Sequence, residues 1–198
     1  CHHSCQTPKI VATPMRNVAF IVNNQSKSLD AVVGEINRLS DQFEGLEIST
    51  HVTKSVGDPF RFAYDLTRSK VDTIIACGGD GTMNEVLNGI MTFPSDYRPK
   101  ISVFSHENSN DFLMSFGRRS LTEIPESIQA STLKKIDGGL IQYHGRQRYF
   151  LNSSSAGFGA DVHRDVQLSR RGFLPAKWVY TVSSLKWLLQ HKPATVKI

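Results

Sequence analysis

The chain has 198 residues, 39% hydrophobic and 21% charged, with a net charge of +5 and a pI near 9.2. That length can bury a full core in one domain, or in one domain and part of another, and the composition excludes disordered and collagen-like classes. No apolar run approaches the roughly 18 residues of a membrane span, and the opening CHHSCQTPKI lacks the apolar stretch of a signal peptide, so neither is expected.

The first residue is Cys1 rather than Met, so a fragment, a processed product or a trimmed chain is expected, with residues 1–14 as a tail outside the fold. Cys1, His2, His3 and Cys5 could ligate a metal. A terminal tail with no second ligand pair argues against a zinc site there. The positive charge suits an anionic partner, either a nucleotide or an acidic membrane surface. The basic residues are scattered without an aromatic-interleaved stripe, so no nucleic-acid partner is expected. The three cysteines make no disulfide framework.

Val18–Val22 is a continuous apolar run of strand length, the pattern of a strand buried on both faces. After the polar loop 23–28, Val32, Ile36, Leu39 and Phe43 recur at helical spacing, with Ser28 or Asp30 as N-cap. Leu46–Val52 reads as the second strand. Asp58-Pro59 reads as an N-cap followed by proline at the first helical position, opening a helix with Phe62, Ala63 and Leu66 on one face. Thr73–Cys77 is the third strand, Thr82–Met91 a helix and Lys100–Phe104 the fourth strand. Short helices are expected near 109–116 and 121–129.

This alternation predicts an α/β fold, a parallel sheet with helices on both faces over residues 15–132. Ligands then sit at the C-terminal strand ends, where loops 23–28, 78–82 and 105–111 converge. Residues 133–198 read differently. Lys135–Tyr143 and Gln147–Ser155 form a hairpin about His144-Gly145-Arg146, Phe173–Gln190 a helix with Trp178, Leu185, Trp187 and Leu188, and Ala194–Ile198 a strand stub. A hairpin, a helix and a stub make a poor independent domain, so a truncated β-rich, β-sandwich-like second domain is expected.

The most informative stretch is Ile75–Ile90, IACGGDGTMNEVLNGI. Glycines between a strand and a helix let the backbone approach a ligand closely, and a helix N-terminus offers N–H groups suited to phosphate. Asp80 is the charge in that turn, useful beside phosphate for Mg²⁺ or for a substrate hydroxyl. The competing reading is an ordinary turn, with Asp80-Gly81 chosen for its geometry. Glu85 has a rival explanation too, because Thr82-x-x-Glu85 spells a capping box.

Gly78–Ile90 resembles the GGDGTxxEVxNGL pattern of the diacylglycerol kinase catalytic domain, shared by bacterial lipid kinases, sphingosine kinases and ceramide kinases. GGDG alone also occurs in NAD kinases and phosphofructokinases, whereas Glu85-Val86 with Asn88-Gly89 is similar to the lipid kinases. Thr53–Asp58, Asn110-Asp111-Phe112 and Phe150–Val162 resemble further family segments in family order, the last as the opening strand of the second domain. Two loops depart from the pattern. Asn23–Ser28 keeps Asn23 and Ser26 of NPxSGKG, and Glu107-Asn108 replaces the Gly-Thr of GTxND, setting a carboxylate beside a triphosphate site.

The resemblance implies an ATP-dependent lipid kinase acting with Mg²⁺ on a lipid substrate, in the cytoplasm and peripherally attached to an anionic membrane surface. It leaves a homodimer open. It assigns Gly78, Gly79, Gly81 and Thr82 to the ATP phosphates, and Asn23, Ser26, Thr53 and Asn110 to the nucleotide edge. Asp80 and Glu85 become the catalytic candidates, with Asp80 facing Mg²⁺ or the acceptor hydroxyl; Asp111 serves more readily for a helix cap than for a metal ligand. The alternatives are an NAD kinase-like enzyme and a non-catalytic nucleotide- or lipid-binding relative.

Overall fold

The computed structural model describes residues 16–25, 29–42, 45–105, 112, 121, 123–124, 134–154, 158–169 and 176–190. Chain contacts divide it into two compact units, the first running to Asn152 and the second starting at Ser153.

In the first unit the elements are β1 (Arg16–Val22), α1 (Leu29–Gln42), β2 (Leu46–Val52), α2 (Asp58–Arg68), β3 (Thr73–Cys77), α3 (Asp80–Ile90) and β4 (Lys100–Phe104). The strands form one parallel sheet in the order β2-β1-β3-β4. Strand side chains alternate between two cores, as the two-residue period requires. Val18, Phe20 and Val22 pack with Val32, Ile36 and Leu39 of α1, and Leu121 and Ile124 join them. Ile21, Ile74, Ala76 and Val103 pack on the other face with Ala63 of α2 and Met83, Val86 and Ile90 of α3. The helices therefore cover both faces, which is why β1 and β3 read as unbroken apolar runs.

A Cβ on Gly89 would lie 2.5 Å from the Phe60 carbonyl oxygen and 2.9 Å from the Ala63 Cβ, so this glycine sets how closely α3 packs on α2. The strands β5 (Gly139–Tyr143) and β6 (Arg146–Phe150) pair antiparallel. Their turn is His144-Gly145 alone, with φ of 45° and 74°, the two-positive-φ geometry that suits the right-handed strand twist. Both strands are shorter than the sequence suggests: residues 134–138 and 151–154 lie outside regular structure.

In the second unit α4 (Phe158–Ser169) and α5 (Ala176–Gln190) pack together. Val162 and Val166, one turn apart, meet Val179 and Trp187 in a small core, and Lys186 pairs with Asp165 at 2.7 Å. Residues 158–162 are thus helical, which corrects the expectation of a strand through Val162. Valines at i and i+4 bury one helical face, and that outweighs the glycine at 159. The expected helices near 109–116 and 121–129 and the stub 194–198 fall largely or wholly outside the described residues.

Candidate active site

From β1 the chain moves to one side to make β2 and returns on the other side to make β3. The loops leaving β1 and β3 therefore diverge at their carboxyl ends, opening the crevice in which α/β sheets bind ligands. Val22 and Cys77 end the two strands opposite each other. The ladder runs one rung further, with the N–H groups of Asn23, Thr53 and Gly78 donating to the carbonyls of Cys77, Val22 and Phe104, each at 2.9 Å. Burial pushes the Cys77 thiol well above its usual range, so it is an uncharged filler beneath the site.

Asn23, Thr53 and Thr82 come together on that edge. Asn23 Nδ2 donates to Thr82 Oγ1 at 3.3 Å, while Asn23 Oδ1 accepts from the Gln25 N–H at 3.0 Å. Thr53 is buried, and its Oγ1 accepts from the Asn24 N–H at 3.2 Å. The loop after β1 is thereby tied to α3 on one side and to β2 on the other. Gly78 is required by packing: a Cβ there would stand 2.6 Å from Thr82 Oγ1 and 3.2 Å from the Asn23 Cβ.

Gly79 is the N-cap of α3, extended at φ −82°, and as a glycine it makes no side-chain cap bond. The helix starts at Asp80, two residues earlier than its periodicity suggests. This overturns the capping box, because Thr82 sits inside the first turn with its hydroxyl accepting from Asn23. Glu85 falls in the second turn, with Oε2 buried and unpaired in hydrogen bonding. Gly81 is exposed, and a Cβ there would meet no atom within 4 Å. Protein packing gives no reason for glycine at 81, whereas close approach of a ligand does.

Asp80 is half-buried, and its Oδ1 accepts from Asn152 Nδ2 at 2.8 Å. Asn152 lies just past β6 and reaches back across the chain. Further along α3, Asn84 and Asn88 both hold Tyr149 of β6. Asn88 accepts from the Tyr149 N–H and donates to its carbonyl, each at 2.9 Å, and Asn84 Nδ2 donates to the same carbonyl at 3.0 Å. The sequence reading assigned none of these three asparagines to the site. The one local signal is the spacing of Asn84 and Asn88, which puts both on one helix face.

Asp58 also plays a part other than the expected one. The N-cap of α2 is Gly57, at φ 88°, so Asp58 and Pro59 are the first two helical residues. The Asp58 carboxylate instead accepts from the Lys54 and Ser55 N–H groups at 2.7 and 2.9 Å and from Arg61 at 2.9 Å. The Lys54 and Ser55 bonds, in that order, are the main causes that hold its carboxyl down at about 2. The loop after Thr53 is tied down by this one side chain. Ser26, Asn110, Asp111, Glu107, Asn108 and the Cys1–Cys5 tail lie outside the described residues.

Two features fit a nucleotide with its metal. The crowding at Gly78 and the open space at Gly81 shape a backbone cradle at a helix N-terminus, the setting that favours phosphate. Among the described residues no group of three or more His, Cys, Asp and Glu could hold a metal. A single carboxylate, Asp80, fits a Mg²⁺ that is carried mainly by substrate phosphates.

The diacylglycerol kinase catalytic domain matches residues 17–141. The chain is 30% identical over 184 residues to the diacylglycerol kinase of Bacillus subtilis (strain 168), covering 91% of this chain and 58% of that protein. It is 30% identical over 149 residues to a probable lipid kinase YegS-like of Yersinia pestis (strain Pestoides F), covering 75% and 49%. The crystal structure of a diacylglycerol kinase from Bacillus anthracis str. Sterne superposes with a TM-score of 0.55 at 30% identity, covering 71% of this chain and 51% of that one. The chain thus spans about half the length of these relatives. With its parallel sheet, its glycine turn at the β1/β3 divide and that match over residues 17–141, the chain belongs to the diacylglycerol kinase catalytic-domain family.

Proposed function

We propose that the protein is an ATP-dependent lipid kinase that transfers the γ-phosphoryl group to a lipid hydroxyl. The observation that carries this reading is the glycine turn at the sheet's divide, with one carboxylate, Asp80, at a helix N-terminus whose N-cap is a glycine. Phosphoryl transfer asks a protein mainly for positioning and charge stabilisation, and these residues supply both. Gly78 and Gly79 bring the backbone close to the phosphates, Gly81 leaves room for them, and Thr82 is held in place by Asn23. Asn23 and Thr53 shape the nucleotide edge. Mg²⁺, when bound with the nucleotide, neutralises phosphate charge, and Asp80 is the residue placed to face it or to orient the acceptor hydroxyl. Glu85 offers a second, shielded carboxylate oxygen one turn further along α3.

The net charge of +5 favours an anionic membrane surface, and no described helix is long and apolar enough to cross a membrane. The experiment is an acceptor screen with γ-labelled ATP and Mg²⁺ against diacylglycerol and sphingosine in mixed micelles, and against NAD. Label in a lipid phosphate is the expected result. Label in NADP would favour the NAD kinase-like alternative, and Mg·ATP binding without transfer to any acceptor would indicate a non-catalytic relative.

A further inference from the structure

The bond between Asn152 and Asp80 is the end of a longer arrangement. Asp80, Asn84 and Asn88 follow one another at intervals of four residues, so one stripe of α3 carries the carboxylate in its first turn and two amides in the turns behind it. Those amides hold Tyr149 by both its N–H and its carbonyl, as a neighbouring strand would. Arg148 Nε adds a bond to Asn84 Oδ1 at 3.2 Å. Leu151 packs into the core beneath α3. With Tyr149 clamped and Leu151 anchored, the chain has little freedom in where it sets Asn152.

We propose that Asn152 is a positioning residue for Asp80, and that the Asn84–Asn88 clamp on Tyr149 fixes where Asn152 stands. The proposal rests on the reading of Asp80 as the carboxylate that faces metal or acceptor hydroxyl. A carboxylate on a single Cβ rotates among several orientations. An amide N–H donated to Oδ1 selects one of them without cancelling the charge. A hydrogen bond this exposed adds little to stability, so its value lies in orientation.

The test measures kcat, the KM for ATP and the melting temperature for wild type, Asn152→Ala, Asn152→Asp and Asp80→Asn, with diacylglycerol in mixed micelles as acceptor. Asn152→Ala is expected to lower kcat about tenfold or more with the KM for ATP and the melting temperature unchanged. Asn152→Asp removes the amide donor and sets a second carboxylate beside Asp80. Its kcat should fall at least as far as that of Asn152→Ala, again without a fall in melting temperature, a split that a merely structural asparagine would not produce. If Asn152→Ala keeps wild-type kcat while Asp80→Asn is inactive, the proposal is overturned and the kinase reading stands. A fall in kcat accompanied by a fall in melting temperature of several degrees also overturns it. If Asp80→Asn turns over normally, or the wild type transfers nothing, the kinase reading fails and the proposal falls with it.

Discussion

In the parallel sheet, neighbouring strand residues serve opposite cores: Phe20 packs beneath α1 while Ile21 faces α2 and α3, and both are fully buried. In α5 the apolar residues are spread around the helix, and burial selects only some of them. Val179 and Trp187 turn towards Val162 and Val166, whereas Leu185, Leu188 and Leu189 are 60%, 69% and 81% exposed. A central strand between two helical layers, such as β1 or β3, buries every apolar side chain it carries. A helix packed against one partner buries only one stripe.

The largest effect should come from the sheet. Phe20→Ala removes a ring from a closed core and should cost about 3–5 kcal/mol in denaturant unfolding. A loss of about 1 kcal/mol or less would mean that α1 collapses onto the gap, and that this core is no tighter than the α4–α5 pair. Gly89→Ala sharpens the same point from the other side, because its Cβ must push α2 and α3 apart. Overpacking of that kind should cost about 1–3 kcal/mol, and an unchanged unfolding midpoint would reveal slack between the two helices.

Asp58 gives a pH-dependent contrast. Its carboxyl is held at about 2, below its ordinary value of 3.8. A depressed folded value contributes stability that is present above the unfolded value and disappears as pH falls through the folded one. Asp58→Asn should therefore melt lower than wild type at neutral pH, and the gap should close between about pH 4 and pH 2. A gap that persists at the acid end would assign the loss to geometry rather than charge. The smallest effect belongs to α5: Leu188→Ser and Leu189→Ser should each change stability by about 0.5 kcal/mol or less. A larger loss would show that these leucines are covered in the folded protein, and the contrast with the sheet would weaken.

Much of the sheet was legible because continuous apolar runs bounded by polar loops admit few readings. Leu46–Val52, Thr73–Cys77 and Lys100–Phe104 are strands with the expected bounds. The start of α3 was misread because its cap, Gly79, uses backbone alone and leaves no side-chain signature, while Asp80 and Gly81 are weak helix formers. The same error made Thr82 and Glu85 look like a capping box. The glycine turn stood out in the sequence as a candidate phosphate site, and Asn23, Thr53 and Thr82 do converge beside it. The contacts of Asn88 with Tyr149 and of Asn152 with Asp80 span 61 and 72 positions. No local pattern in a single sequence encodes pairings of that range.

Whether the N-terminal turn of α3 receives phosphate is tested by Gly81→Val with the least disturbance to the fold. A side chain at 81 meets no protein atom within 4 Å of its Cβ, and valine is a somewhat better helix former than glycine. The melting temperature should stay level or rise slightly. Calorimetric titration with Mg·ATP should show affinity weakened about tenfold or more, equivalent to about 1.4 kcal/mol. Unchanged affinity in a variant of unchanged stability would contradict the account, because the nucleotide phosphates would then lie away from this turn.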